Sequence, residues 1–283
     1  MRLATVRTGD GTHAARVEGD TLIELDAADV GELLRAGASS MVVGASMGAG
    51  VPTGEEYPVA EADFAPLVID PGKIICLGLN YEDHILEMGR ELPAFPTLFA
   101  KYTGALIGAH DPIELPLASD AVDWEVELAF VIGRSVRHAT ATEAAAAIAG
   151  FTVANDISMR DYQSRSIEFL QGKTFEHSTP VGPWLVTPDE VGGAHPDLEV
   201  KCEVDGEVRQ RGRTGKLVFT PAEVVRYVSD IITLHPGDLV LTGTPAGVGH
   251  GMSPPVYLQP GQVVRTSIEG IGELVNECVP EPA

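Results

Sequence analysis

Cysteine and basic side chains are both scarce in this chain of 283 residues. The three cysteines, Cys76, Cys202 and Cys278, lie far apart in the sequence, which excludes a CxxC-type zinc site and a disulfide framework. The 19 lysines and arginines are outnumbered by 41 aspartates and glutamates, giving a formal net charge of −22. Nucleic acids and anionic membranes bind basic surfaces, so we expect neither as a partner and favour a small-molecule ligand.

Long apolar runs are absent as well. The longest, residues 144–151, is mostly alanine and much shorter than the roughly 20 residues that a helix needs to cross a bilayer. Residues 1–11 contain no apolar core of a secretory signal, so the sequence favours a location in the reducing cytoplasm. Hydrophobic residues nevertheless make up 44% of the chain, which is enough for a globular protein with a substantial core.

The beginning of the chain is predicted to form a small unit of its own. Residues 1–47 contain short strand-like runs separated by Gly/Asp turns, with a short helix over Val30–Leu34. The prolines of residues 48–72 are typical of a linker that runs over a surface. We therefore divide the chain into a small N-terminal α/β domain with its linker, residues 1–70, and a larger domain, residues 71–283.

The larger domain is predicted to be rich in strands. Alternating or continuous apolar runs mark its main strands, which are Lys73–Leu79, Thr97–Lys101, Trp124–Ile132, Phe151–Asn155, Glu199–Val204, Leu239–Thr242 and Val263–Ile268. Asp205-Gly206 predicts a tight hairpin turn, and capping-box patterns at Thr140 and Thr220 predict two helix starts. Strands and helices do not alternate regularly, so the pattern favours an α+β class with a mixed β-sandwich or β-roll over a doubly wound parallel sheet.

Three carboxylates are candidates for a metal site. Glu125 and Glu127 would share one face of the strand Trp124–Ile132, and Asp156 follows the next buried strand. Such an all-oxygen set selects Mg²⁺, Mn²⁺ or Ca²⁺ and leaves coordination positions open for substrate or water. Each residue also fits a role without a metal, since the two glutamates suit a solvated strand face and Asp156 suits a cap of the following turn.

Two further segments carry groups that suit catalysis. His84 and Glu87 are three residues apart, so on a helix Glu87 can hold the imidazole of His84 and raise its basicity as a general base. Lys173 lies in a short Gly-Lys-Thr-Phe segment with Gln163 upstream. Taken singly, these are also ordinary features of a protein surface, and the glycine-rich run at 242–249 is also an ordinary turn after a strand.

The order and combination of these segments resemble the fumarylacetoacetate hydrolase family, in its short bacterial, acylpyruvase-like form. The resemblance covers about residues 73–279, and residues 1–70 resemble the small N-terminal domain that many bacterial members carry. The motifs that carry it are GLNYEDH at 78–84, FAK at 99–101, DWEVELAFVIG at 123–133, NDIS at 155–158, GKTF at 172–175 and TGTPAGVG at 242–249.

The resemblance implies a mixed β-roll, a homodimer and a Mg²⁺ or Mn²⁺ cofactor, with Ca²⁺ as a substitute. It also implies roles for individual residues: metal ligands Glu125, Glu127 and Asp156; catalytic residues His84 and Glu87, as a dyad on a lid, with Lys173; and substrate-binding residues Gln163, Thr244, Arg160 and Lys101. Lys173 and Gln163 would face the reacting carbonyl, and Thr244 a substrate carboxylate. The sequence departs from the longer eukaryotic members at Asn80, where they carry an additional aspartate ligand, which argues against fumarylacetoacetate as the substrate.

Two enzymatic functions follow from the resemblance, both on a small anionic 2-oxo acid. The first is metal-dependent cleavage of a C–C bond in an acylpyruvate-type 2,4-dioxo acid, in which His84 activates water and pyruvate leaves as an enolate stabilised by the metal. The alternative is an isomerase or decarboxylase of a 2-oxo dicarboxylate, of the 2-hydroxyhepta-2,4-diene-1,7-dioate or oxaloacetate type, in aromatic-acid catabolism. A cation-binding β-sandwich without catalysis is a third hypothesis, but it needs neither His84 nor Lys173 near the carboxylates.

Overall fold

The computed structural model describes residues 1–39, 50–87 and 91–282, without the side chains of residues 38, 39, 84 and 87. The strands of this part are β1 Arg2–Thr8, β2 Gly11–Glu18, β3 Thr21–Leu25, β4 Pro52–Pro58, β5 Asp63–Phe64, β6 Ile74–Gly78, β7 Thr97–Ala100, β8 Leu106–Ile107, β9 Ile113–Leu115, β10 Val122–Asp123, β11 Val126–Ile132, β12 Ile148–Asn155, β13 Ser158–Met159, β14 Thr179–Val186, β15 Glu199–Val204, β16 Glu207–Arg213, β17 Leu239–Leu241, β18 Val263–Ile268 and β19 Gly272–Pro280. Its helices are α1 Val30–Ser39, α2 Glu82–Glu87, α3 Ala141–Ala147, α4 Arg160–Gln163, α5 Leu170–Lys173 and α6 Pro221–Ile231.

Two mixed sheets organise the described part of the chain. The larger has the order β4-β3-β2-β1-β14-β12-β11-β17-β6-β7, with β5 paired to β1 and β8 to β14. The smaller has the order β16-β15-β18-β19-β9, and β10 pairs separately with β13. Most pairs are antiparallel, but β17 runs parallel to β6, β14 to β8 and β19 to β9. The predicted α+β class with mixed, strand-rich sheets is therefore confirmed.

Strand β11 lies at the centre of the fold and is buried along its whole length. Its residues alternate between two cores, as the pleat of a strand requires. Leu128 and Phe130 belong to the core shared with the smaller sheet, whereas Ala129 and Val131 belong to the core shared with α1. A strand buried on both faces reads as a nearly continuous apolar run, which explains why Glu127 is conspicuous within it.

The N-terminal strands extend the larger sheet. Strand β1 pairs with β14, with Arg2 opposite Val186, and β2, β3 and β4 follow outward in order. The stretch 48–72 is not only a linker, because β4 and β5 lie within it. Pro52 and Pro58 stand at the two ends of β4, which is the edge strand, and there proline removes no hydrogen bond from an interior ladder.

The local signals at turns and helix starts are confirmed. Asp205 and Gly206 connect β15 to β16 with positive φ angles of 51° and 79°, as a tight hairpin turn requires. Thr140 and Thr220 each form a capping box, with Glu143 and Glu223 respectively. Within the described residues, no helix is both long and apolar enough to span a membrane.

Candidate active site

Three buried carboxylates meet where β11 begins and β12 ends. Glu125 precedes β11, Glu127 is its second residue, and Asp156 follows β12 directly. The antiparallel register sets Val126 opposite Asn155, which brings the three side chains together. One oxygen from each carboxylate lies within 4.8 Å of the other two, so the predicted cluster of oxygen ligands is present in the structure.

Strand β11, which carries Glu127, starts later than predicted, at Val126 instead of Trp124. Two side-chain amides replace the missing ladder bonds. The backbone N–H of Glu125 donates to Asn155 Oδ1 at 2.8 Å, and that of Val126 donates to Gln210 Oε1 at 2.9 Å. Glu125 therefore lies just before the strand and not within it, but its carboxylate meets that of Glu127 as predicted.

Two buried lysines neutralise part of this charge. Lys173 Nζ donates to Glu125 Oε2 at 2.6 Å and to Asp156 Oδ2 at 2.8 Å. Lys101 Nζ donates to the other oxygen of Asp156, Oδ1, at 2.5 Å. Burial lowers the pKa of Lys173, but the neighbouring Asp156 and Glu125 raise it by more, so the net pKa lies above its ordinary value. Lys173 is therefore a charged donor at neutral pH.

A buried arginine connects the carboxylates to the wall of the site. Arg160 Nη1 lies 2.7 Å from Glu125 Oε1 and also donates to Gln163 Oε1 at 2.9 Å. Its Nε donates to Asp123 Oδ2 at 2.8 Å. Burial lowers the pKa of Arg160, but Glu125 and Asp123 together raise it by more, so the net pKa lies above its ordinary value. Asp123 also accepts from the backbone N–H groups of Gly249 and His250, so one buried carboxylate fixes both the arginine and this turn.

Glu127 is the least compensated member of the cluster. Its Oε2 accepts from the backbone N–H of Gly243 at 2.7 Å, but its buried Oε1 has no hydrogen-bond partner. Burial raises the pKa of Glu127 well above its ordinary value, and Asp156 and Glu125 add to this shift. An unpartnered buried oxygen within an all-oxygen set is what a hard divalent cation requires, so these residues fit a Mg²⁺- or Mn²⁺-type ion.

A cleft of about 430 Å³ opens beside the carboxylates. Among the residues that line it are Gly78, Leu79, Phe99, Glu125, Arg160, Gln163, Ile167, Phe169, Thr244 and His250. Thr244 lines the cleft as predicted, but its hydroxyl already donates to the carbonyl of Val126 and accepts from Gln210. Its side chain therefore fixes the loop after β17 against β11, and any contact between this hydroxyl and a substrate carboxylate would compete with the bond to Val126.

Helix α2 carries the predicted catalytic dyad. His84 and Glu87 both lie within Glu82–Glu87, three residues apart, but their side chains lie outside the described part of the structure. The beginning of the helix is fixed by Asn80, whose amide donates to the carbonyls of Phe219 and Thr242 and accepts from the backbone of Phe219. Asn80 therefore binds backbone groups and supplies no negative charge to the site.

Three important residues of the site were missed in the sequence. Asp123 and Asn155 adjoin predicted ligands in the motifs at 123–133 and 155–158, so their position was a usable signal. Gln210 is 84 residues from its partner Val126 and carried no local signal at all. All three act by holding the backbone or Arg160 and leave the centre of the site to the charged groups.

Close packing of α4 against α5 sets the position of Lys173 relative to Gln163. A Cβ atom at Gly172 would lie 2.5 Å from the backbone nitrogen of Gln163 and 2.6 Å from the carbonyl oxygen of Met159. We expect Gly172→Ala to lower the free energy of unfolding by about 1–3 kcal/mol and to lower kcat, because the two helices must separate. Urea denaturation and steady-state kinetics measure both effects.

A matched control is Gly9→Ala, because nothing lies within 4 Å of a Cβ atom at Gly9. It should change neither stability nor kcat appreciably. Full activity and wild-type stability in Gly172→Ala would contradict the close packing that we describe.

A strand-rich mixed fold with a buried carboxylate cluster beside two lysines and an arginine defines the class of protein. Residues 73–279 match the family model described as fumarylacetoacetate (FAA) hydrolase C-terminal, and residues 1–66 match the one described as Rv2993c-like, N-terminal. The chain belongs to the fumarylacetoacetate hydrolase family, as its motifs predicted.

Three individual proteins of known name are similar to this chain in sequence or in structure. The human protein named oxaloacetate tautomerase FAHD2A, mitochondrial, is 45% identical over 224 residues, which are 78% of this chain and 71% of that protein. The crystal structure of 5-carboxymethyl-2-hydroxymuconate delta-isomerase from Mycobacterium smegmatis is 34% identical with a TM-score of 0.81, covering 99% of this chain and 100% of the other. That of 2-hydroxyhepta-2,4-diene-1,7-dioate isomerase from Mycobacterium marinum is 32% identical with a TM-score of 0.80, covering 100% of both.

These comparisons support an enzyme of this family and favour the isomerase/decarboxylase alternative over C–C hydrolysis. The roles assigned to single residues, the division at residue 70, the homodimer and the cytoplasmic location stay predictions.

Proposed function

We propose that this protein is a Mg²⁺- or Mn²⁺-dependent keto–enol isomerase of a small 2-oxo dicarboxylate, of the oxaloacetate type. The observation that carries the proposal is the 45% identity, over 78% of the chain, to a protein named as an oxaloacetate tautomerase. The two isomerases of similar fold support the same reaction class. The reaction moves one proton between C3 and the 2-oxo oxygen, so no bond between carbon atoms breaks and no water is consumed.

Glu125, Glu127 and Asp156 would hold the cation in this proposal. When bound, a divalent cation supplies Lewis-acid stabilisation of negative charge on the 2-oxo oxygen of the substrate. The described side chains of the site carry four carboxylates, including Asp123, against the three cations Lys101, Lys173 and Arg160. A bound divalent cation would reverse this excess of negative charge, which would favour entry of an anionic substrate into a protein with a net charge of −22.

The protein's own groups would then orient the substrate and move the proton. Lys173, held by Glu125 and Asp156, would supply a fixed positive charge to the enolate that develops on the substrate. Gln163 is oriented by Arg160 through its Oε1, which leaves its Nε2 to donate to a substrate oxygen. His84, for which the sequence predicts Glu87 as the partner, would act as general base and acid and carry the proton between C3 and the 2-oxo oxygen.

The decisive test follows the loss of the enol of oxaloacetate by ultraviolet absorbance in a weakly buffering medium. We expect the purified protein to accelerate ketonisation, EDTA to abolish the acceleration, and Mg²⁺ or Mn²⁺ to restore it. Product analysis separates the reactions, because isomerisation leaves the mass unchanged, decarboxylation gives pyruvate and carbon dioxide, and hydrolysis of acylpyruvates gives pyruvate and a second acid. Cleavage of acylpyruvates without any effect on the enol of oxaloacetate would overturn the proposal in favour of hydrolysis.

A further inference from the structure

A dicarboxylate substrate needs a hydrogen-bond donor for its second carboxylate as well as for its first. Most donors on the wall of the cleft are already used within the protein. The side chains that already donate are those of Arg160 to Asp123 and Gln163, Thr244 to Val126, Ser164 to Asp161 and Ser166 to Glu168. Within the described residues, the uncharged side chains of the cleft that keep a nitrogen without a hydrogen bond are Gln163 and His250. Nη2 of Arg160 also makes no hydrogen bond, but it is paired with Asp123 Oδ2 at 2.8 Å.

Of these two side chains, only Gln163 is bonded to a residue that contacts the carboxylate cluster. Gln163 is bonded to Arg160, which contacts Glu125, so its remaining donor lies beside the carboxylate cluster. His250 lies on the loop after β17 and lines the cleft, but it contacts none of the three carboxylates within the described structure. Both side chains line the same cleft, so one short substrate could contact Gln163 at the cluster with one end and His250 with the other.

The backbone of His250 is fixed relative to Arg160. Its N–H donates at 3.0 Å to Oδ2 of Asp123, the same oxygen that accepts from Arg160 Nε at 2.8 Å. Gly249 donates to the other oxygen of Asp123 at 2.7 Å, and this aspartate is fully buried. A shared buried carboxylate thus fixes the backbone of His250 relative to the arginine beside the cluster.

The ring of His250 is oriented by Tyr257. Nδ1 lies 3.0 Å from the hydroxyl of Tyr257, and the two rings stack with centroids 6.3 Å apart and an interplanar angle of 28°. Burial and Asp123 raise the pKa of Tyr257, so its hydroxyl keeps its proton and can donate it to Nδ1. With the hydroxyl of Tyr257 as the donor to Nδ1, the imidazole carries its proton on Nε2, and this nitrogen is then a donor without a partner in the described structure.

We propose that His250 Nε2 binds the distal carboxylate of the substrate and that His250 determines the preference of the cleft for dicarboxylates over monocarboxylates. The proposal rests on the proposed function for the identity of the substrate's other end. His250 is a specificity-determining residue here, and Tyr257 is the positioning residue that orients it.

Binding of two unreactive compounds tests this without any turnover. N-oxalylglycine and oxamate carry the same oxalyl end, but only N-oxalylglycine has a distal carboxylate. Titration calorimetry of the Mg²⁺-loaded protein should show tighter binding of N-oxalylglycine by the wild type. His250→Ala should weaken N-oxalylglycine about tenfold or more and leave oxamate unchanged, as the loss of one hydrogen bond to a charged group predicts.

Two further variants keep the test decisive. Tyr257→Phe should weaken N-oxalylglycine by a smaller factor and leave oxamate unchanged, because it only releases the ring of His250. His250→Gln should recover part of the affinity, because an amide nitrogen can replace the imidazole donor. Equal weakening of both compounds by His250→Ala, or no weakening of either, would overturn the proposal. Failure of the proposed function would instead appear as a wild type that binds both compounds and does not isomerise oxaloacetate.

Discussion

Glu127→Gln should remove catalysis almost completely while leaving the fold intact. We expect kcat/KM for the enol of oxaloacetate to fall by about 10³-fold, the size of effect that follows from losing several kcal/mol of stabilisation by a bound cation. The amide oxygen of glutamine can still accept from the backbone of Gly243, but its NH₂ group would replace a carboxylate oxygen of the cluster, and a donor cannot bind a cation. Titration calorimetry with Mn²⁺ should show the corresponding loss of affinity.

The free energy of unfolding of Glu127→Gln distinguishes a specific loss of cation binding from a general loss of the fold. Burial, Asp156 and Glu125 all raise the pKa of Glu127, so its charged form is unfavourable in the protein without a cation. Removing that charge should leave the free energy of unfolding in EDTA unchanged or raise it by about 1 kcal/mol. A metal-free variant that is markedly less stable than the wild type would contradict this account of Glu127.

The matched control is Glu24→Gln, another buried glutamate. Glu24 accepts from Thr53 and Tyr57 in the N-terminal part of the fold, remote in sequence from the cluster. Its replacement should cost stability, because one of its two acceptor oxygens is lost, but Mn²⁺ affinity and kcat should stay at wild-type values. Equal loss of Mn²⁺ binding in both variants would show that the effect of Glu127→Gln is not specific to the cluster.

The carboxylate cluster was predictable because its members stand in or beside apolar strands. Glu127 interrupts a run that is otherwise apolar, and Asp156 directly follows a buried strand. A charged residue at such a position needs a partner, so chemistry at the ends of β11 and β12 could be inferred before any coordinates. Those strand positions, together with the family motifs, also indicated the fold class.

The supporting residues of the site could not be predicted, because their contacts depend on tertiary register. At the beginning of β11, side-chain amides from Asn155 and Gln210 bind the backbone in place of a neighbouring strand, and the spacing of Glu125 and Glu127 does not indicate them. Asp123 looked like a neighbour of a ligand, whereas the structure makes it the common anchor of Arg160 and His250. Long-range amide and carboxylate contacts of this kind leave no local periodicity in the sequence.

The prolines of residues 48–72 indicated a linker and gave no sign of the strands β4 and β5 in that stretch, because the tolerance of a strand for proline also depends on tertiary structure. A proline-rich stretch predicts irregular structure only if its prolines would interrupt a hydrogen-bonded ladder. In β4 they occupy the ends of an edge strand, and Tyr57 between them pairs with Leu22 of β3. The position of a strand within its sheet, which decides whether proline is tolerated, is a property of the fold and not of the segment.

Lys173→Met should separate the two roles of the ammonium group, charge compensation and catalysis. In EDTA the variant leaves Glu125 without its lysine partner and Asp156 with Lys101 alone, so we expect the free energy of unfolding to fall by about 3–5 kcal/mol. Saturating Mn²⁺ should recover much of this loss, because a cation in the cluster neutralises the same carboxylates. Urea denaturation with and without Mn²⁺ measures the loss of stability in EDTA and its recovery by the cation.

The same variant should bind Mn²⁺ more tightly than the wild type, because a neighbouring positive charge is gone, and yet lose about 10³-fold in kcat/KM. A matched control is Lys201→Met. Lys201 Nζ lies 3.1 Å from Glu203 Oε2 on the smaller sheet, and this lysine is partly exposed. Loss of that surface pair should cost at most about 1 kcal/mol and leave Mn²⁺ affinity and kcat unchanged. If Lys173→Met lost stability equally with and without Mn²⁺, the lysine and the cation would not act on the same carboxylates, and the metal site assigned to Glu125, Glu127 and Asp156 would have to be placed elsewhere.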